Sequence, residues 1–147
     1  MAQGMANSED AQIILKLYEL RTETVMREAR SWVTTEFWPQ NADEFFLVMS
    51  DFGSQKNNWL RQVITYWDMA ASLVLHGALS ADLFVDCSSE PFFILAKLEP
   101  ILPDIHARLP TIFSKMLKLI ENSPAATARY EAARKNAATR RAARANS

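Results

Sequence analysis

Residues 57–77 read NNWLRQVITYWDMAASLVLHG, and this stretch decides the fold class. Its apolar residues recur at helical spacing and cover a broad stripe of a helix. The members of the stripe are Trp59, Leu60, Val63, Ile64, Trp67, Ala70, Ala71, Val74 and Leu75. A stripe of this width needs partners on more than one side, so it predicts the central helix of a bundle. Ser54 or Asn57 is expected to cap its start, and Gly77 to end it.

The composition also favours helices. Of the 147 residues, 49% are hydrophobic, which is too apolar for a disordered chain, and only three are Gly, which is few for a many-stranded sheet. A chain of this length is the size of one domain. We therefore predict an all-α protein: an antiparallel bundle of about six or seven helices with a C-terminal Ala/Arg-rich helix.

Caps and prolines place the remaining helices. The first is predicted over residues 8–37, because Pro39 disfavours helix at the residue before it. The spacing predicts further helices over about residues 41–52, 80–87, 90–99, 102–108, 110–122 and 124–147. The last of these holds no Leu, Ile, Val or Phe, so we expect it to be loosely docked.

The charge distribution divides the chain in two. Residues 1–122 carry ten Lys and Arg against sixteen Asp and Glu, whereas residues 123–147 carry six against one. We therefore predict a helical bundle domain over residues 1–122 and a basic helix or tail over residues 123–147.

The sequence offers no targeting signal for a membrane or for secretion. The first ten residues are polar and acidic, and no apolar run approaches the roughly 18 residues that a membrane span needs. The single Cys87 cannot form an internal disulfide, which agrees with a reducing compartment. These features predict a cytoplasmic protein without a membrane span.

The motifs of metal sites and nucleophilic enzymes are missing. His76, His106 and Cys87 are isolated in the sequence, without a CxxC or HExxH pattern, and there is no GxSxG or glycine-rich phosphate loop. We therefore predict no metal, no cofactor and no catalytic residue.

Two pairs of charged residues share a seven-residue spacing. Arg21 and Glu28 lie on the first predicted helix, and Arg61 and Asp68 lie on the central one. Residues seven apart point the same way along a helix, so these four could form interhelical ion pairs. We interpret this polar cluster as structural, although helical bundles also build sites from inward carboxylates.

The last predicted helix has a basic face. Arg129, Arg134, Arg140, Arg141 and Arg144 fall within somewhat less than half of its circumference, opposite a face of Ala residues. This face is a candidate anion-binding surface for nucleic acid or lipid headgroups. The alternative, which we favour, is docking on the acidic body or on a second copy.

The run TYWDMAASLVLHGALSADLFVD at residues 65–86, followed by Phe92, Phe93, Pro100 and Arg108, resembles an uncharacterised bacterial family of small helical proteins. Members have an aromatic and acidic pair in a central helix, then a glycine turn and a short Asp-Leu helix. The resemblance covers about residues 55–120. It implies an all-helical fold and transfers no activity.

These observations favour a non-catalytic function. We expect a cytoplasmic interaction or scaffold module that binds a protein partner or itself, through aromatic surface left over from the bundle. The alternative is a nucleic-acid or polyanion binder that acts through the basic C-terminal helix. An enzyme is the third hypothesis, and it would need Glu28 or Asp68 in a solvent-accessible cleft.

Overall fold

The computed structural model describes residues 5–147, and every regular element in that part of the chain is helical. The α-helices are α1 Ser8–Arg21, α2 Thr24–Ser31, α3 Ala42–Met49, α4 Gln55–Leu75, α5 Ala81–Cys87, α6 Glu90–Leu98, α7 Leu102–Arg108, α8 Ser114–Asn122 and α9 Pro124–Ala145. A π-helical turn, Trp32–Glu36, follows α2, and a 3-10 turn, Glu99–Ile101, joins α6 to α7. The predicted all-α helical bundle is confirmed.

The central helix of the bundle is α4, which packs against α2, α3 and α8. Ser54 caps its start, because the Ser54 hydroxyl accepts the Asn57 backbone N–H at 3.1 Å. Gly77 follows its end with a φ of +79°, a conformation that favours glycine. Most of the predicted apolar stripe is buried, and Trp67 is 1% exposed. The helix therefore occupies the place that its sequence predicts.

The prediction of one continuous helix over residues 8–37 is wrong. Thr22 ends α1, and its hydroxyl donates to the Glu19 carbonyl at 2.8 Å. Glu23 then caps α2, because its carboxylate accepts the Met26 N–H at 3.1 Å. Local side-chain bonds of this kind compete with helix continuation, and they divide the segment in two.

The start predicted for α8 at Pro110 is also wrong. Residues 110–113 form a turn, and Phe113 has a left-handed φ of +54° immediately before the helix begins at Ser114. A ring nitrogen of His106 donates to the Ile112 carbonyl at 2.8 Å and ties this turn to α7. The predicted end of the helix at Asn122 is correct.

The C-terminal helix α9 is packed against α5, α6 and α8, so the expectation of loose docking is wrong. Ala126, Tyr130 and Ala137 are buried in this contact. The Tyr130 hydroxyl donates to the Glu99 carboxylate, and Arg134 forms an ion pair with the same carboxylate at 2.8 Å. The small Ala side chains allow close approach of the helix, and polar bonds at its edge fix its position. The division of the chain into domains at residue 122 stays a prediction.

None of the helices within residues 5–147 combines the length and the apolar character that crossing a bilayer requires.

Candidate functional site

Helix α1 presents uncovered apolar side chains. Within its 14 residues, Leu17 is the only buried one. The exposed fractions of Leu15, Tyr18 and Leu20 are 67%, 57% and 44%. Exposed apolar residues that cluster on one element are typical of interaction surfaces, whereas isolated ones are common on any protein.

The same helix borders a groove of about 290 Å³, which we call the α1 groove. Its apolar lining comes from α1, α4 and the end of α5: Ile14, Leu15, Leu17, Tyr18, Trp67 and Cys87. Arg21 lies at its edge, with its guanidinium 4.6 Å from the centre of the Tyr18 ring and 5.7 Å from that of Trp67. The groove is therefore an apolar depression with one cation at its rim.

Polar bonds hold α1 in place without covering its outer face. Asn7 and Asp10 form a capping box, and the second oxygen of Asp10 accepts the Ser80 N–H at 2.9 Å. The Tyr66 hydroxyl donates to the Leu17 carbonyl in the middle of the helix. Burial raises the pKa of Tyr66 to about 12, which keeps this hydroxyl a donor even at alkaline pH. These bonds fix α1 on the bundle and leave Leu15 and Tyr18 accessible.

The floor of the α1 groove is supported by a mostly buried carboxylate. Glu90 accepts the indole N–H of Trp67 at 2.8 Å and an N–H of the Arg30 guanidinium at 2.9 Å. Glu90 and Arg30 form an ion pair in which both side chains are mostly buried. A buried ion pair with additional hydrogen bonds fixes the orientation of its neighbours, here the Trp67 ring.

The structure does not bring together the predicted polar cluster of Arg21, Glu28, Arg61 and Asp68. No ion pair joins any two of them in the described part of the chain. Arg21 lies at the α1 groove. Glu28 and Arg61 line a separate groove of about 640 Å³ between α2 and α4, where Arg61 lies 5.9 Å from the ring centre of the exposed Phe52.

Asp68 has a different role from the one that its spacing suggested. Its carboxylate accepts the backbone N–H groups of Lys115 and Met116, at 3.0 and 2.9 Å, and thereby caps the start of α8. Burial raises the pKa of the Asp68 carboxyl, and the two N–H donors act in the opposite direction. The carboxylate is therefore used to join α4 to α8.

The five arginines of α9 all contact the bundle. Arg129 donates to the Val85 carbonyl at 3.1 Å, Arg141 donates to the Lys97 carbonyl at 3.0 Å, and Arg134 pairs with Glu99. The two others cover aromatic rings, each guanidinium lying 5.0 Å from the ring centre: Arg140 over Phe93, and Arg144 over Trp38. The predicted basic face is therefore partly used for docking α9.

Sequence reasoning missed Lys97, which is 4% exposed. Its ammonium donates to the Val33 carbonyl and lies 5.1 Å from the ring centre of Trp38. Burial lowers the pKa of Lys97 to about 7; the nearby charge of Arg144 lowers it further, and Glu90 opposes the shift. The available signal was its position as a single lysine within an otherwise apolar run of α6, FFILAKL at residues 92–98.

Among residues 5–147, no three His, Cys, Asp or Glu side chains are grouped closely enough to hold a metal ion.

The fold and these sites define a small all-helical domain with a groove along its first helix. A family model described as a domain of unknown function, DUF4760, matches residues 6–123, and the chain belongs to that family. The predicted resemblance to an uncharacterised helical family is thus confirmed, over a longer range than 55–120. No curated protein and no solved structure matches the chain. The α1 groove lies within the matched range, and α9 follows it.

Proposed function

We propose that the protein is a non-catalytic helical interaction module that associates with a second copy of itself through α1. The observation that carries this proposal is the exposure of Leu15 and Tyr18 beside the α1 groove. An apolar surface next to a depression allows two copies to bury side chains in each other. Such reciprocal contacts are the rule in two-fold symmetric dimers.

The charges on α1 favour a second copy as the partner. Lys16 and Glu19 flank the apolar side chains; they pair with each other at 3.8 Å on the surface of α1, where their side chains are 64% and 74% exposed and free to exchange partners. When two α1 helices pack antiparallel about a two-fold axis, Lys16 of one copy lies near Glu19 of the other. The surface is therefore complementary to itself in charge as well as in apolar character.

The partners of Asp68 and Glu90 support a non-catalytic role, whereas Glu28 lines the open groove between α2 and α4. Asp68 is occupied by two backbone N–H donors, and Glu90 is occupied by Arg30 and Trp67. We place the module in the cytoplasm, because its one cysteine is a free thiol and a reducing compartment suits such a chain.

The test is the solution mass measured by light scattering over a range of protein concentrations. We expect the wild-type chain to dimerise and the variant Leu15→Ser to be monomeric, because burying one leucine contributes about 1.5 to 3 kcal/mol in each copy. Leu47→Ser is the matched control, since Leu47 is 74% exposed on α3 and lies outside the α1 groove. A wild-type monomer at all concentrations, or equal loss of dimer in both variants, would refute the proposal.

Polyanion binding through α9 is the second candidate function. It is favoured by Arg140 and Arg144, which cover aromatic rings and form no ion pair within residues 5–147. Binding of a single-stranded oligonucleotide, followed by fluorescence anisotropy, should then weaken steeply with salt. Absence of binding at low salt would rule this function out.

A further inference from the structure

A pocket of about 390 Å³ lies where the end of α9 meets the loop that follows the π-helical turn. Trp38 and Gln40 line it from the loop, and Arg141 and Arg144 line it from α9. We call it the Arg141/Arg144 pocket. Its volume falls within the range of about 300 to 1,000 Å³ that is usual for small-molecule sites.

Cations dominate this pocket. Neither Arg141 nor Arg144 forms an ion pair in the part of the chain that the structure describes. Arg141 donates one N–H to the Lys97 carbonyl, and a guanidinium has five N–H donors, so further donors are available. Arg144 and the Lys97 ammonium each lie about 5 Å from the centre of the Trp38 ring. Two guanidinium groups therefore line the pocket, and the partly protonated Lys97 lies nearby without lining it.

The nearby carboxylates do not neutralise these cations. Glu36 and Glu44 line a different groove, which they share with Lys56. Glu44 also accepts the Gln40 backbone N–H at 2.6 Å. Glu90, which faces Lys97, is occupied by partners from α2 and α4. Ser147 also lines the pocket but forms no ion pair with either arginine, so none of these groups supplies a counter-ion to the pocket.

We infer that the Arg141/Arg144 pocket binds a small phosphate-bearing anion. Two guanidinium groups offer paired N–H donors, whose planar geometry matches a phosphate better than a point charge does. The Trp38 ring restrains Arg144, and the bond to Lys97 restrains Arg141, so little side-chain freedom remains to be lost on binding. An anion would also offset the positive charge of the two guanidinium groups. This inference does not depend on self-association through α1.

The test is calorimetric titration of the full chain with inorganic pyrophosphate. We expect saturable binding of one anion per chain, and about ten- to a hundredfold weaker binding by Arg144→Gln, since a hydrogen bond to a charged group has that effect. Lys135→Gln is the matched control: it removes one positive charge from an exposed position of α9 that does not line the pocket. It should change the affinity less than twofold.

Further measurements locate the anion and its source. Tryptophan fluorescence should change on binding, and this change should disappear in Trp38→Phe while calorimetric binding persists.

Arg144→Lys keeps the charge and should show an affinity between those of the wild type and Arg144→Gln. It replaces Arg144→Gln in the test if thermal melting shows that the glutamine variant is unfolded. Vesicles with phosphatidylserine distinguish a lipid headgroup from a free phosphate: binding to the vesicles that Arg144→Gln abolishes would assign the phosphate to a lipid.

Three results would overturn the inference. The first is the absence of binding to both pyrophosphate and the vesicles. The second is an equal loss of affinity in Arg144→Gln and Lys135→Gln, which would show a diffuse effect of net charge. The third is binding to a single-stranded oligonucleotide alone, which would indicate an extended polyanion surface in place of a pocket.

Discussion

Replacing Lys97 by Met should change how the stability of the protein depends on pH. Met keeps a long, unbranched and apolar side chain in the buried position, but it carries no charge and no donor for the Val33 carbonyl. The pKa of Lys97 falls from an ordinary 10.5 to about 7, chiefly through burial, with Arg144 contributing and Glu90 opposing. The folded protein therefore holds this proton less tightly than the unfolded chain does.

The sign and the size of the effect follow from that difference. Between about pH 7 and pH 10.5 the unfolded chain binds more protons at this position than the folded protein. The Lys97 contribution to the free energy of unfolding should therefore rise with pH, by about 1.4 kcal/mol per pH unit and by about 3 to 5 kcal/mol in all. Loss of the bond to Val33 costs the variant about 1 to 3 kcal/mol at every pH. Below pH 7 the Lys97→Met variant should thus be the more stable protein, by about 2 kcal/mol, and at high pH the less stable one.

Urea denaturation of both proteins between about pH 6 and pH 9.5 measures this difference. The free energy of unfolding of Lys97→Met minus that of the wild type should fall steadily as the pH rises. Lys135→Met serves as control, because Lys135 is exposed and its substitution should give a difference that does not vary with pH. The raised pKa values of Tyr66 and Tyr130 affect both proteins alike and cancel. If the Lys97→Met difference is also constant with pH, the lysine titrates normally and the reasoning from burial fails.

Two further substitutions test how the helices are terminated. Asp68→Ala should lower the free energy of unfolding by about 1 kcal/mol, because α8 loses its cap. Asp68→Asn keeps an oxygen that can accept the same N–H groups, so its loss should be much smaller. Equal losses for the two variants in urea melts would contradict the capping role. Gly77→Ala should cost about 1 to 2 kcal/mol, because the φ of +79° strains any side chain although the space around it is open. Gly77→Asn should cost less, and a neutral Gly77→Ala would show that the turn adopts another conformation.

The sequence predicts α4 well because several independent signals agree there. Its apolar stripe, the cap at Ser54 and the turn at Gly77 each depend on residues close together in the chain. Local signals also place the start of α5 at Ser80 and of α9 at Ser123, whose hydroxyls accept backbone N–H groups three residues on. Where the determinants of a helix are local, its bounds can be read from the sequence.

The parts that could not be predicted depend on contacts between distant residues. Asp68 caps α8 from 47 residues away, and no periodicity in either helix indicates that bond. Phe113 adopts a left-handed backbone, which sequence rules assign to Gly or Asn, and its side chain is fully buried. The α1 groove likewise depends on the bonds from Asp10 and Tyr66 that hold α1 at its position. Spacing identifies the faces of helices but not which faces meet.

The change in composition near residue 123 does not coincide with the limit of the buried core. Helix α6 is buried over most of its surface, because α9 covers the side that the π-helical turn and the rest of the bundle leave open. Phe93 and Trp38, which pack edge to face, are covered by Arg140 and Arg144 of α9 and by Lys97 of α6. Each of these cations lies over an aromatic ring and is attracted by it, so the contacts of Arg140 and Arg144 help to hold α9 in place. The arginines of the C-terminal helix thus contribute to its docking. Arg141 and Arg144 form no ion pair with a described residue, and their positive charge suits the pocket between them to an anion.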